Sequence, residues 1–352
     1  MWVYAFIFIV VTVLSGTMSL VDKVSSRVIE SLLVLVLVLF AGLRSDVGTD
    51  FHTYKEIFEE FLSTQTTSFH IEPGFYLMNW LAARVSNNFA VITLMSAGIS
   101  LFFLFRAINS VGLCQEWKWV SYVALLCIGV YFVYLMSGIR QGISVAIFLY
   151  SIRYIVERKP IRYLALIFFG SFFHFSILLM IPMYWAGARL FNKHVVISVV
   201  LVALLSAFSG LTSLVFQKVV VLIGGHYAAY GDIFSGFANT KTGLGVLSRI
   251  CFGLLIVIIS DFWVANYRDK ILYNLFSVGL VLYSFFLGVD ILVRISEYLF
   301  DVILLILPLS IKAFHRDLRP IYVFILMIFL IALYYSNISY PGMNLIPYQM
   351  VL

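Results

Sequence analysis

Apolar runs of roughly 17–25 residues recur along almost the whole chain, and a run of that length crosses the hydrocarbon core of a bilayer as one α-helix. Backbone in hydrocarbon must satisfy its own N–H and C=O groups, which leaves helices and closed barrels. A barrel would alternate polar and apolar residues in strands of about ten residues, and that pattern is absent. Only 11% of the 352 residues are charged and 62% are hydrophobic, against about 25% charged in soluble domains. The reading is an all-α, polytopic integral membrane protein forming one domain over residues 1–352. Its first run lacks a charged n-region and a small-residue cleavage site, so it reads as a retained helix.

Ten stretches read as crossings: Trp2–Leu20, Val28–Leu43, Asn88–Arg106, Trp119–Met136, Ile143–Val156, His194–Phe216, Val246–Ala265, Ile271–Val289, Ile295–Ile311 and Pro320–Tyr335. Tyr163–Leu190 is long for one helix and short for two. A broken hairpin turning near Phe173-His174-Phe175-Ser176 puts the basic loops Arg268–Lys270 and Lys312–Arg319 on the cytoplasmic side with Arg153–Arg162, as the positive-inside rule asks. The total is roughly twelve spans, with both termini and two long polar loops, near residues 45–87 and 217–245, on the outer face. Glu72–Val85 is apolar but covers only ~21 Å at 1.5 Å per residue, so it reads as a re-entrant or interfacial helix on that face.

The net charge of +6 sits mostly in short loops and reports topology; no clustered basic face suits nucleic acid. Cys114, Cys127 and Cys251 have no metal or redox spacing. No phosphate loop, zinc motif or serine-nucleophile elbow occurs. No cofactor or metal is expected.

The candidate chemistry begins with Arg140, in Ser137-Gly138-Ile139-Arg140-Gln141-Gly142 between two apolar runs. An arginine in a membrane segment costs from ~2.5 to above ~10 kcal/mol and persists where it meets a polar cavity, a partner or a ligand. Arg44 opens a second polar stretch that holds Asp46, Asp50, His52 and Tyr54; helix-end snorkelling is the plain reading of Arg44, and N-capping that of Asp50. Glu72, before Pro73-Gly74-Phe75, divides between helix N-terminal charge complementarity and substrate binding. His174 among phenylalanines is a core histidine or marks a membrane break lining a cavity. Asp290, Arg294, Glu297 and Asp301 fall on one helical stripe, with Tyr298 next to Glu297. Self-neutralisation accounts for Glu297 and Asp301, whereas Arg294 shares the expected depth of Arg140.

Arginines hold phosphate by planar, multidentate hydrogen bonds, and acids or a histidine accept a hydroxyl proton. Such a set suits transfer from a diphosphate leaving group to an alcohol. A lipid diphosphate is therefore the expected partner of Arg140, with a protein carboxylate, from the Asp290–Asp301 stripe, as the alternative.

Gly42–Tyr54, Glu72-Pro73-Gly74-Phe75, Gly138-Ile139-Arg140-Gln141, Phe173-His174-Phe175-Ser176 and the tail Ile346-Pro347-Tyr348, in that order, resemble the EpsG family, which belongs with the Wzy-type polysaccharide polymerases of bacterial envelopes. The resemblance spans nearly the whole chain. It implies likeness to O-antigen ligases and other GT-C-like membrane glycosyltransferases. It also implies polymerisation of undecaprenyl-diphosphate-linked oligosaccharides at the outer face of the bacterial cytoplasmic (inner) membrane, with inversion by direct displacement. A chain-length regulator and the flippase of the same pathway are the implied protein partners. In this reading Arg140 and Arg294 hold the donor diphosphate, and Arg44 assists them or holds the acceptor diphosphate. Gln141 and Tyr54 orient substrate, Asp46 and Tyr298 are further substrate-binding residues, and His174 is the base, with Asp50 or Glu72 as the alternative. A lipid-linked oligosaccharide flippase and a membrane O-acyltransferase are the rival readings.

Overall fold

A computed structural model describes residues 1–112, 115–186, 190–223, 244–287 and 289–351. Among them helices dominate, and the only extended pairing is one isolated bridge between Arg44 and Met350. In chain order the helices are α1 (Trp2–Thr17), α2 (Lys23–Gly42), α3 (Phe51–Thr64), α4 (Pro73–Val85), α5 (Ala90–Ser110), α6 (Trp119–Cys127), α7 (Ile139–Val156) and α8 (Pro160–Ser171). They continue with α9 (Lys193–Phe208), α10 (Leu211–Ile223), α11 (Leu244–Ile258), α12 (Tyr267–Phe285), α13 (Asp290–Phe300), α14 (Ile303–Ser310) and α15 (Arg319–Ser339). Short turns at Tyr131–Leu135, Ser260–Trp263, Ile311–Ala313, Arg316–Leu318 and Pro341–Met343, and a 3-10 stretch, Phe175–Trp185, lie between or beside them. Two compact units result, Met1–Tyr184 with Leu307–Leu352, and Trp185–Ile306.

The chain is a multi-pass helical membrane protein. Helices α2, α5 and α7, with 20, 21 and 18 residues, and the 24-residue Arg316–Ser339 segment are long and apolar enough to cross a bilayer. A fifth crossing results if α9 and the start of α10, bent by 75°, count as one. Among the described residues this count is below the roughly twelve spans expected from run length and loop charge, and several of the runs are broken locally. The run Trp119–Met136 is not one helix, because α6 stops after 9 residues. The chain turns at Gly129, with φ +95°, and resumes as a π-helical turn over Tyr131–Leu135. His194–Phe216 bends at Gly210, with φ +76°, and Ile295–Ile311 is interrupted between α13 and α14. Glycine adopts these positive φ values without a Cβ clash, so hydropathy continues where the helix does not.

Tyr163–Leu190 folds back as expected in its described part. Helix α8 ends at Ser171 and the 3-10 stretch starts at Phe175. The Tyr163 hydroxyl donates to the Met180 carbonyl at 2.5 Å, and the Tyr163 and Tyr184 rings lie 5.5 Å apart. In one straight helix the first pair would be ~26 Å apart. On the first unit's surface, α15 turns Ile321, Phe324, Ile325, Ile328 and Ile331 outward and buries Asn337, whose side chain donates to the Cys127 carbonyl at 2.8 Å. Apolar residues outside and satisfied polar groups inside are what lipid requires.

At the C-terminal end of α2 the chain termini meet. Ser45 N–H donates to the Gln349 carbonyl, Gly48 N–H to Asn344 and Val351 N–H to Leu43, at 2.8–2.9 Å. Tyr348 stacks on Phe40 at 4.6 Å and donates to its carbonyl at 2.6 Å. The Tyr4 hydroxyl donates to the Leu345 carbonyl. Residues 344–351 thus form a strap across the loop that follows α2. Of the second expected outer loop, residues 224–243 lie outside the described residues.

Candidate functional site

The site in the first unit starts with two backbone approaches. Pro73 opens α4, where its missing N–H costs nothing. Gly74 N–H then donates to the Phe172 carbonyl at 2.7 Å. A Cβ at Gly74 would lie 2.8 Å from that oxygen, so only glycine lets α4 start this close to the end of α8. The approach sets Glu72 beside His174, in the break after α8. Glu72 is the N-cap residue of α4 but accepts no capping hydrogen bond there; charge complementarity with its own helix is not what occupies its carboxylate.

Arg140 is the second residue of α7. A cation at a helix N-terminus opposes the helix dipole, at about 0.3–1 kcal/mol, and an opposing anion must offset it. Glu72 supplies it: Arg140 Nη1 donates to Glu72 Oε2 at 2.7 Å, and His174 Nδ1 lies 2.9 Å from Glu72 Oε1. One carboxylate therefore bridges an arginine and a histidine. The partner of Arg140 in the structure is a protein carboxylate, Glu72 at the N-cap of α4.

The Glu72 side chain is 7% exposed, Arg140 26% and His174 32%. Burial favours the neutral acid, but the His174 hydrogen bond and the Arg140 charge outweigh it and hold Glu72 below the usual carboxyl value of 4.5. An ionised carboxylate only accepts, so Nδ1 of His174 carries the proton in this contact. Arg140 Nε is buried without a hydrogen-bond partner among the described residues, leaving donor capacity beyond the Glu72 bond. The guanidinium carbon lies 5.8 Å from the ring centroids of both Tyr54 and Phe75. The Tyr54 side chain is buried, and burial raises its hydroxyl pKa while Arg140 opposes that shift.

The loop after α2 seats the start of α7. Thr49 N–H donates to the Ser137 hydroxyl at 3.2 Å. Gly48, at φ +100°, lies so near the Met136 carbonyl that a Cβ would sit 1.8 Å from its oxygen. Ser144 of α7 donates to the Gly170 carbonyl of α8 at 2.9 Å. These contacts fix the start of α7 against the loop after α2, and α7 against α8. Ser137 and the Phe172 carbonyl were not singled out as positioning groups in the sequence, although Ser137 stands in the Arg140 motif.

The structure gathers Glu72, Arg140, His174 and Tyr54. Gln141 is buried beside Arg140 in α7. Asp50 stands at the N-cap of α3, without a capping bond, and accepts from the Thr49 hydroxyl at 3.2 Å. Asp46 pairs instead with His52, 2.7 Å from its Nε2, on the exposed loop. Arg44 is 1% exposed; its Nε donates to the Val47 carbonyl at 3.1 Å and Nη1 to Ala41. Tyrosines 4, 54, 131 and 348 surround it, and burial draws its pKa down to about 10. Its charge caps the Ala41 carbonyl at the end of α2 and ties it to the loop carbonyl of Val47. In the second unit Arg294 is exposed and Tyr298 buried. There Arg249 of α11, not singled out in the sequence, interacts with Tyr283, Glu297 and Asp301. Those two acids thus answer a cation on another helix as well as their own stripe. Among the described residues, no three His, Cys, Asp or Glu side chains gather as a metal site would require.

The family model of the EpsG family matches residues 27–350. The chain belongs to that family, whose members are Wzy-like polysaccharide polymerases. Comparison with curated proteins and with solved structures returns no match.

Proposed function

We propose that this EpsG-family chain joins lipid-diphosphate-linked oligosaccharide repeat units, undecaprenyl diphosphate being the carrier class, at the outer face of the bacterial cytoplasmic membrane. The observation that carries the reading is the Glu72 carboxylate shared between Arg140 and His174. The acceptor hydroxyl loses its proton to His174 Nε2 while its oxygen attacks the anomeric carbon of the donor. The bond from that carbon to the diphosphate oxygen breaks, the lipid diphosphate leaves, and the configuration inverts. Arg140 stabilises the charge growing on the leaving oxygen with donors aimed from a site already assembled. Glu72 keeps His174 in the tautomer with Nε2 unprotonated and balances the imidazolium that forms, as the carboxylate of a catalytic triad does. Tyr54 and Phe75 wall the guanidinium with aromatic faces, which strengthens its hold on an anion by limiting water.

Purified protein in proteoliposomes with lipid-linked repeat units tests this. Glycan ladders longer than one repeat are the expected product. Transbilayer movement of the lipid without lengthening, the behaviour of a flippase, contradicts it.

A further inference from the structure

A cleft of about 510 Å³ opens in the first unit between the start of α3, the turn before α5 and the C-terminal strap. That is within the ~300–1,000 Å³ typical of small-molecule sites. Its floor is apolar: Phe51 and Phe89 meet edge to face with centroids 5.1 Å apart. Its rim is polar, formed by Lys55, Ser86, Asn87 and Asn88. Asn88 Oδ1 accepts from Ala90 N–H at 2.9 Å, and Asn88 N–H donates to the Ser86 hydroxyl at 3.1 Å. These bonds tie the turn down. The exposed Asn87 amide has no hydrogen bond to a described residue and offers two donors and an acceptor.

We infer that this cleft is a saccharide subsite, holding the sugar portion of the lipid-linked substrate while Arg140 holds its diphosphate. The inference rests on the polymerase reading for the source of its ligand. A pyranose has apolar C–H groups for an apolar floor and hydroxyls for an amide rim, and this cleft pairs the two. The charge argues against a second diphosphate site. Lys55 is the one cation on the rim, and Glu59, with an oxygen 3.7 Å from its Nζ, already offsets it. The cleft also shares elements of the chain with the Arg140 site. Phe51 of the floor lies one helical turn before Tyr54 on α3. Ser45, in the cleft wall, begins the loop whose Thr49 bonds Ser137 just before α7. Val351 of the strap closes the same wall.

The test uses the full chain in nanodiscs containing phosphatidylglycerol, with the repeat-unit oligosaccharide freed from its lipid by mild acid. Saturation-transfer NMR on the sugar protons reports binding in wild type. Asn87→Trp, which fills the cleft from an exposed turn, weakens that binding about tenfold, equivalent to about 1.4 kcal/mol. Asn87→Ala, which adds no bulk, weakens it in the same direction at an unchanged melting temperature. Unaltered sugar binding in both variants overturns the subsite. So does Asn87→Trp-sensitive saturation on the phosphatidylglycerol headgroup in place of the sugar, which makes the cleft a lipid site. Sugar binding by a protein that lengthens no glycan supports the subsite and removes the polymerase reading, so the two fail separately.

Discussion

Glu72 Oε2 lies 2.7 Å from Arg140 Nη1, although 68 positions separate the two residues. The other Glu72 oxygen lies 2.9 Å from His174 Nδ1, 102 positions away. An arginine alone binds anions, and a histidine alone accepts protons. One carboxylate holding both sets the distance between the group that meets a departing diphosphate and the group that takes the acceptor proton.

Glu72→Gln keeps the volume and removes the charge. The amide no longer fixes the His174 tautomer, and lengthening should slow by up to about 10⁴, as when the carboxylate of a catalytic triad becomes an amide. Initial rates against acceptor concentration check this: the loss is expected in kcat with KM little changed. A rise in KM alone would assign Glu72 to substrate binding.

The depressed pKa of Glu72 gives its ion pair a defined pH window. The folded value lies below the ordinary 4.5, so the stabilisation is fully present above pH 4.5 and is lost as pH falls through the depressed value. A double-mutant cycle of Glu72→Gln and Arg140→Gln, read by melting temperature, should show a coupling unchanged from neutral pH down to 4.5 and declining only in more acid solution.

Gly48→Ala places a Cβ on the Met136 carbonyl at a positive φ. A cost of about 1–3 kcal/mol is expected from the strained backbone, with more from the contact. Gly16→Ala in α1 is the comparison, since nothing lies within 4 Å of its Cβ position and a helical alanine gains about 0.5–1 kcal/mol. Opposite shifts in melting temperature are the expected outcome.

Arg44→Ala should reduce the yield of folded protein and leave the acceptor KM of the surviving fraction unchanged. Its removal orphans the Ala41 and Val47 carbonyls at about 1–3 kcal/mol each. Detergent size exclusion reads the first effect and the lengthening assay the second.

Much of this arrangement was legible in the sequence one residue at a time. Arg140, Glu72 and His174 stood out because each is polar in apolar surroundings, where lipid makes an unpartnered group costly. Their partnership was not legible, because it depends on Gly74 meeting the Phe172 carbonyl across the fold. The hairpin at His174 was, because loop charge constrains topology. Arg44 resembled a substrate ligand because Tyr348, one of the tyrosines that bury it, comes at the far end of the chain. Gly129 and Gly210 break helices without lowering the apolarity of their runs, so span counting by hydropathy passes over them. Arg249 drew no notice as one charge in an apolar run, and its acids came from a stripe that looked self-contained.

The most direct measurement is glycan lengthening by Arg140→Ala in proteoliposomes, at wild-type protein level and with a monodisperse detergent profile. The account predicts no ladder beyond a single repeat, with Arg140→Lys restoring little because an ammonium lacks the planar fork. A full ladder from Arg140→Ala would contradict it.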